Sequence, residues 1–258
     1  MDRGYFYSIM NGSGTLDYEA YLNTQKVLTA QKPFDELCNA DELQFQIVHQ
    51  VEELWMKLIG YTLLDIDEYI QDRNTHRVVT LFRRVHRTLQ LMIQQLGLLE
   101  TMSPKEYQEI RLQLGNGSGQ ESPGFRSLLK MPRPLWKSFK AAYLDADGRS
   151  VEQIYNSDYR HDDAYMVAES LVEFDELFQK CRYDHIQLTH RAIGMGAKSL
   201  KGRPVELLNE GAQTRFFPEL WDVRNEMTDA WGGEYGQVRE SLTPGSYVPT
   251  KQGGSTGH

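Results

Sequence analysis

No stretch of this chain approaches the roughly 18 consecutive apolar residues that a membrane-spanning helix needs. The opening residues, MDRGYFYSIMNGSG, contain no apolar run long enough for a secretion signal. There are only two cysteines, Cys38 and Cys181, and no Cys-x-x-Cys. Two thiols cannot make a disulfide framework, so the expectation is a reduced protein in the cytoplasm. An excess of positive charge is also missing. The 28 Lys and Arg stand against 36 Asp and Glu, a formal net charge of −8. Such a chain repels nucleic acid and anionic membranes, and neither is expected as a partner. A small basic cluster, Arg83, Arg84 and Arg87, falls within one helical stretch and reads as a solvated face.

Several chemical signatures are lacking too. There is no G-x-G-x-x-G, no phosphate loop and no G-x-S-x-G. The run Gly115–Gly119 follows a helix rather than a strand, which makes it a poor nucleotide loop. Metalloprotease histidine spacing is absent, as is the Glu-x-x-His pair of a di-iron bundle. The acidic pairs Glu52/Glu53 and Asp162/Asp163 read as solvated faces. No strand pattern, internal repeat or break for a second domain appears.

What the chain does have is apolar residues at helical spacing. Apolar residues make up 40% and charged residues 25%, ordinary for a soluble globular protein. Residues 1–17 read as irregular, and 18–30 as a short helix ended before Pro33. The clearest helix is 40–71, with Asp41 as its cap and Leu43, Ile47, Val48, Val51, Leu54, Trp55 and Leu58 recurring at three and four. A second runs over 75–100. Ser103-Pro104, with Glu106 in the first turn, opens a third. Residues 115–124 read as a loop. Pro132 and Pro134 read as interruptions before a short helix at 135–144. Residues 150–193 read as one long or kinked helical region, and 205–230 as partly helical with a turn at Phe216-Phe217-Pro218. The expected architecture is all-α, helices packed on helices over 18–241, with a disordered tail from 242 to 258.

Candidate chemistry rests on a few side chains. Of the seven histidines, His76, His86 and His161 sit among charged neighbours and read as exposed. His185 shares the stripe of Leu177, Phe178 and Cys181. From spacing alone it is either a hydrogen-bonded core histidine or a proximal haem ligand. His49 follows Phe45 by one turn and precedes Glu52, which suits a surface or interface histidine, a metal ligand or an acid–base group. Tyr107 and Arg111 share a helix face. Arginine offers a fork that matches a carboxylate, although a surface arginine on a tyrosine ring has the same spacing.

Four segments, taken in order, resemble the tryptophan 2,3-dioxygenase family. They are Tyr18-x-x-Tyr21-Leu22 leading to Leu28-Thr29-Ala30-Gln31; Asp41-Glu42-Leu43-Gln44-Phe45-x-x-x-His49-Gln50 with Glu53-Leu54-Trp55; Ser103-Pro104-x-x-Tyr107-x-x-x-Arg111; and His185 before Arg191-Ala192-Ile193-Gly194, then Phe216-Phe217-Pro218-Glu219-Leu220-Trp221. The resemblance covers about residues 15–225. It implies an all-α homotetramer with one b-type haem per subunit and dioxygen as co-substrate. The implied reaction is insertion of dioxygen across the indole C2–C3 bond of L-tryptophan or a close derivative, giving an N-formylkynurenine-type product. His185 would be the proximal iron ligand, and Phe45 and His49 would line the distal pocket. Arg111 would bind the substrate carboxylate with Tyr107 beside it. Ser199 aligns with a threonine that holds the substrate ammonium, and Tyr18, Tyr21 and Leu22 would close a neighbouring subunit's pocket.

The sequence also departs from that pattern. The loop Ala197–Arg203 lacks the usual glycine and serine richness, and Pro123 stands where a small polar residue is common. The loop after Arg111 is longer, and 126–150 is shorter. These changes suggest a divergent branch. Two alternatives follow: a haem-dependent monooxygenase of a substituted tryptophan or another aromatic amino acid in secondary metabolism, and a haem-binding helical protein without turnover.

Overall fold

The computed structural model describes residues 1–115, 117–156, 160–198 and 214–231, together with Gly202, Gly211 and Leu242. Three long helices carry the core: α4 (Glu42–Gln71), α5 (Thr75–Leu99) and α10 (Asp163–Ile193). Around them lie α1 (Arg3–Met10), α2 (Asp17–Leu22), α3 (Thr24–Leu28), α6 (Pro104–Gln113), α7 (Pro123–Leu128), α8 (Pro132–Phe139), α9 (Val151–Tyr155) and α11 (Pro218–Trp231). No strand occurs among the described residues.

The core follows from periodicity. Ile59, Leu63, Ile66 and Ile70 form one stripe of α4. Val78, Leu81, Phe82, Val85 and Leu89 form the facing stripe of α5, and Val167, Leu171, Phe174 and Phe178 that of α10. Each fully buried side chain of this kind contributes about 1.5–3 kcal/mol. A three-residue connection folds α5 back along α4. Arg73 takes a left-handed backbone there (φ 53°), its guanidinium is paired with Asp147 at 2.7 Å, and Asn74 caps α5 through Arg77 N–H. Gly194 (φ 87°) ends α10, donating to the His190 carbonyl.

The structure corrects several sequence expectations. Residues 3–10, read as irregular, are helical, and Asp2 caps them by accepting from Tyr5 N–H at 3.1 Å. The 18–30 helix is two helices, broken where Asn23 turns left-handed (φ 53°). Asp41 makes no side-chain cap. Asn39 does that work instead, accepting from the N–H groups of Asp41 and Glu42. Pro132 and Pro134 do not interrupt a helix but open α8, where a missing N–H costs nothing. Residues 150–193 form two helices, and the second starts at an Asp162 cap onto Tyr165 N–H. The expected tail lies, apart from Leu242, outside the described residues.

His86 is a further correction, since it is only 5% exposed. Its Nε2 donates to the Ser170 carbonyl at 3.0 Å, and Nδ1 lies 3.1 Å from Glu173. Charged residues adjacent in sequence point to other faces of a helix. The neighbours three and four residues away, Phe82 and Leu89, decide burial.

The segment before α11 is tied to α10 by one carboxylate. Asp175 is fully buried. Its Oδ2 accepts from Phe216 N–H (2.8 Å), Phe217 N–H (3.2 Å) and Trp221 Nε1–H (2.9 Å), while Oδ1 accepts from Gln179 (3.1 Å). Asp175→Ala strands these donors in a dry core, so it should cost about 3–5 kcal/mol in urea denaturation. A loss below 1 kcal/mol would show that the Phe216–Trp221 segment is held by apolar contact alone.

Candidate active site

The wall of α4 and the wall of α10 face one cavity of about 1080 Å³, counted out to its mouth. From α4 come His49, Glu52, Glu53 and Met56, all on one face because their spacing is three and four. From α10 come Phe178, Cys181, Arg182, His185 and Ile186. Met92 and Leu96 of α5 and Phe125 of α7 complete an apolar lining.

The segment before α7 closes one side. Gly119 and Ser122 border the cavity, Ser122 caps α7 through Phe125 N–H, and Pro123 is the first helical residue. Gly124 packs directly on α4. Its N–H donates to Glu53 Oε2 at 3.0 Å, and a Cβ there would lie 2.7 Å from that of Met56. Only glycine permits that approach.

Burial sets the protonation states. The His185 ring is accessible because it borders the cavity, yet protein surrounds it closely. Desolvation, assisted by the charge of His49, pushes its pKa down to about 4. No side-chain hydrogen bond holds this ring among the described residues. His185 therefore presents a neutral imidazole to the cavity. Burial also lowers the pKa of His49, opposed by the Phe45 carbonyl and Glu53. His49 Nδ1 is 2.7 Å from that carbonyl, which can only accept, so Nδ1 carries the proton and Nε2 is left as an acceptor.

A chain of aromatic contacts leads away from His49. Phe45 stacks on it at 4.1 Å between ring centroids and meets Tyr107 at 6.2 Å. Desolvation raises the Tyr107 phenol pKa, and Arg111, one turn on, lowers it in part. Arg111 does not border the cavity. Its Nη2 donates to the Lys198 carbonyl at 2.5 Å, at the edge of the loop that carries Ser199. Ser199 itself lies outside the described residues. Tyr18, Tyr21 and Leu22 are 72, 87 and 44% exposed on α2 and do not reach the cavity.

Sequence reasoning missed four cavity residues. Glu52 and Glu53, read as a solvated face, border the cavity instead. Glu52 is pushed up to about 7, chiefly by burial, with Gln95 lowering it and Glu53 raising it. Arg182 and Cys181 lie one turn before His185, and Cys181 is raised to about 12 by burial and then by Glu52 and Asp184. The signal for all four was available: each stands three or four residues from a flagged histidine.

The sequence model of the tryptophan 2,3-dioxygenase family matches residues 8–131. The tryptophan 2,3-dioxygenase of Myxococcus xanthus is 31% identical, over 84% of this chain and 91% of its own length. The chain belongs to the tryptophan 2,3-dioxygenase family. The enzymes of that name from Serratia proteamaculans and Pseudomonas fluorescens are 28 and 29% identical, each over 83% of this chain. Membership makes this an enzyme of the haem-dependent dioxygenase class.

The residues present fit a haem. A neutral imidazole, with no ring hydrogen bond among the described residues, faces a largely apolar cavity. No cluster of three or more His, Cys, Asp or Glu among the described residues could hold a bare metal ion.

Glu52 gives a test of the cavity's desolvation. Its carboxyl holds a proton more tightly folded than unfolded, so stability falls as pH rises from the ordinary carboxylate range to about 7. In the haem-free protein, Glu52→Gln should gain up to about 3 kcal/mol over wild type at pH 8 and almost nothing at pH 4. Urea melts at the two pH values check this. Equal differences at both would mean that Glu52 is solvated.

Proposed function

We propose that this chain binds one b-type haem through His185 and inserts dioxygen across the indole C2–C3 bond of L-tryptophan or a close derivative, giving an N-formylkynurenine-type product. The observation that carries this reading is the cavity between α4 and α10, bordered by His49 and by a neutral His185 whose ring has no hydrogen bond among the described residues. Family membership supplies the reaction type. Bound haem supplies the dioxygen chemistry, and the protein orients the substrate and excludes water.

The chain's own residues then have distinct tasks. His185 would hold the haem iron through its neutral imidazole. His49, neutral with Nε2 free, accepts a hydrogen bond from the indole N–H and need not remove that proton. Phe45 packs against the indole, and an aromatic, water-poor wall suits that ring. Arg111 holds the substrate carboxylate through charge-assisted hydrogen bonds, with the Tyr107 hydroxyl beside it. Its present bond to the Lys198 carbonyl joins it to the loop of Ser199, the residue placed by resemblance at the substrate ammonium.

Assembly belongs to the same proposal. Tyr18, Tyr21 and Leu22 are large apolar groups left in solvent by this single chain. In a homotetramer they close a neighbouring subunit's pocket. No helix among the described residues is long and apolar enough to cross a membrane. The two free cysteines, Cys38 and Cys181, favour a reducing, cytoplasmic location.

Product mass tests the reaction. The haem-loaded protein is reduced without oxygen, then given oxygen and L-tryptophan. A product heavier by two oxygen atoms is expected. One added oxygen, or turnover only with a substituted indole, would favour the monooxygenase alternative. His185→Ala should lose haem absorbance at equal expression and unchanged helicity, and retained absorbance would remove its ligand role. Arg111→Ala should weaken substrate binding by roughly 2–5 kcal/mol if its carboxylate pair is buried. An unchanged KM would exclude that contact. His49→Ala should alter turnover while haem stays bound.

A further inference from the structure

Arg182 is a cation in the cavity wall with no anion beside it among the described residues. It lies on α10 three residues before His185, so the two side chains share a face about one turn apart. Its nearest polar partner is Gln179 Oε1, at a long 3.4 Å. Its guanidinium lies over the Phe125 ring, 6.0 Å from the centroid. Gly211 makes room for it, because a side chain at that position would collide with Nη2.

The nearby carboxylates do not pair with it. Arg182 forms no ion pair among the described residues. Asp175 is engaged by Phe216, Phe217, Trp221 and Gln179. Glu53 is engaged by Gly124 N–H, and burial pushes Glu52 up to about 7. Arg182 is half-buried, and desolvation lowers its pKa. Guanidinium cannot shed its proton at physiological pH. A charge taken from water without a partner is expensive, and a bound anion removes that cost.

Accordingly, we infer that Arg182 is the anion anchor of the cofactor: its fork takes a propionate carboxylate of the haem whose iron His185 binds. This rests on the haem reading above and adds to it the edge of the macrocycle that faces Arg182. Both propionates of a b-type haem lie on one edge. Anchoring that edge one helical turn from the iron ligand fixes the macrocycle's rotation in its own plane. The bidentate geometry of arginine with a carboxylate makes lysine an inferior substitute.

The test masks the anion on the ligand and the cation on the protein separately. Haem-loaded wild type, Arg182→Gln and Arg182→Lys are mixed with excess apomyoglobin, and haem transfer is followed by absorbance. Release from Arg182→Gln should be faster than from wild type by about tenfold or more, with Arg182→Lys between them. Wild type loaded with haem dimethyl ester should release it about as fast as Arg182→Gln releases haem. Arg182→Gln should not distinguish acid from ester. Fluorescence titration with metal-free protoporphyrin and its dimethyl ester repeats the comparison without iron ligation.

Equal retention of acid and ester by wild type would overturn the anchor, whatever the folding of the variants. So would an ester penalty that persists undiminished in Arg182→Gln. If wild type holds neither haem nor porphyrin, the cofactor reading itself falls and the anchor with it. If wild type holds both forms equally through His185, only the anchor falls.

Discussion

The buried carboxylate of Asp175 is the contact on which the placement of the last described helix depends. Three N–H groups from the Phe216–Trp221 segment converge on one of its oxygens, and Gln179 takes the other. That arrangement attaches a segment distant in sequence to the middle of α10. It brings Phe217 and Leu220 into the core beside Phe174. It also stiffens the helix that carries Cys181, Arg182 and His185 a few turns on. A helix held on one side by α5 and on another by α11 can leave its remaining face uncovered, and that face forms one wall of the cavity.

The cavity is a place where the core packing of α4, α5 and α10 stops short of closing. Towards the C-terminal half of α4, isoleucine and leucine meet α5 directly. Towards its N-terminal half the same face carries His49, Glu52 and Met56 and meets open space. Within that space desolvation outweighs local charge. It keeps both histidines neutral, raises Glu52 to about 7 and raises Cys181 to about 12. Arginine escapes this rule because its proton is held too tightly. The result is a largely apolar chamber in which Arg182 keeps its positive charge with no ion pair among the described residues. That suits a flat, apolar macrocycle with an acidic edge.

Much of the fold was legible in the chain. The stripes of α4, α5 and α10 follow from spacing, and Ser103-Pro104 marks the start of α6. Punctuation by single residues was less legible. Asp2, Asn39 and Asn23 act through side-chain or backbone geometry that many residues of the same type never adopt. Proline misled at 132 and 134, because the same residue that breaks a helix interior also starts a helix. His86 misled because adjacent charges were weighed above the neighbours one turn away.

The site divides along the same line. His185, His49, Phe45, Tyr107 and Arg111 stand out in sequence order, and resemblance gave them roles. Glu52 and Arg182 did not stand out, because a charged residue on a helix is ordinarily solvated and nothing local says otherwise. The sequence by itself determined the helices, their apolar faces and the membership of the chain in a family. Only the tertiary structure decided that α4 and α10 stand apart at one end and that the charged groups between them have lost their water. Helical periodicity is a property of neighbours within five residues. Desolvation is a property of whatever the whole chain brings alongside.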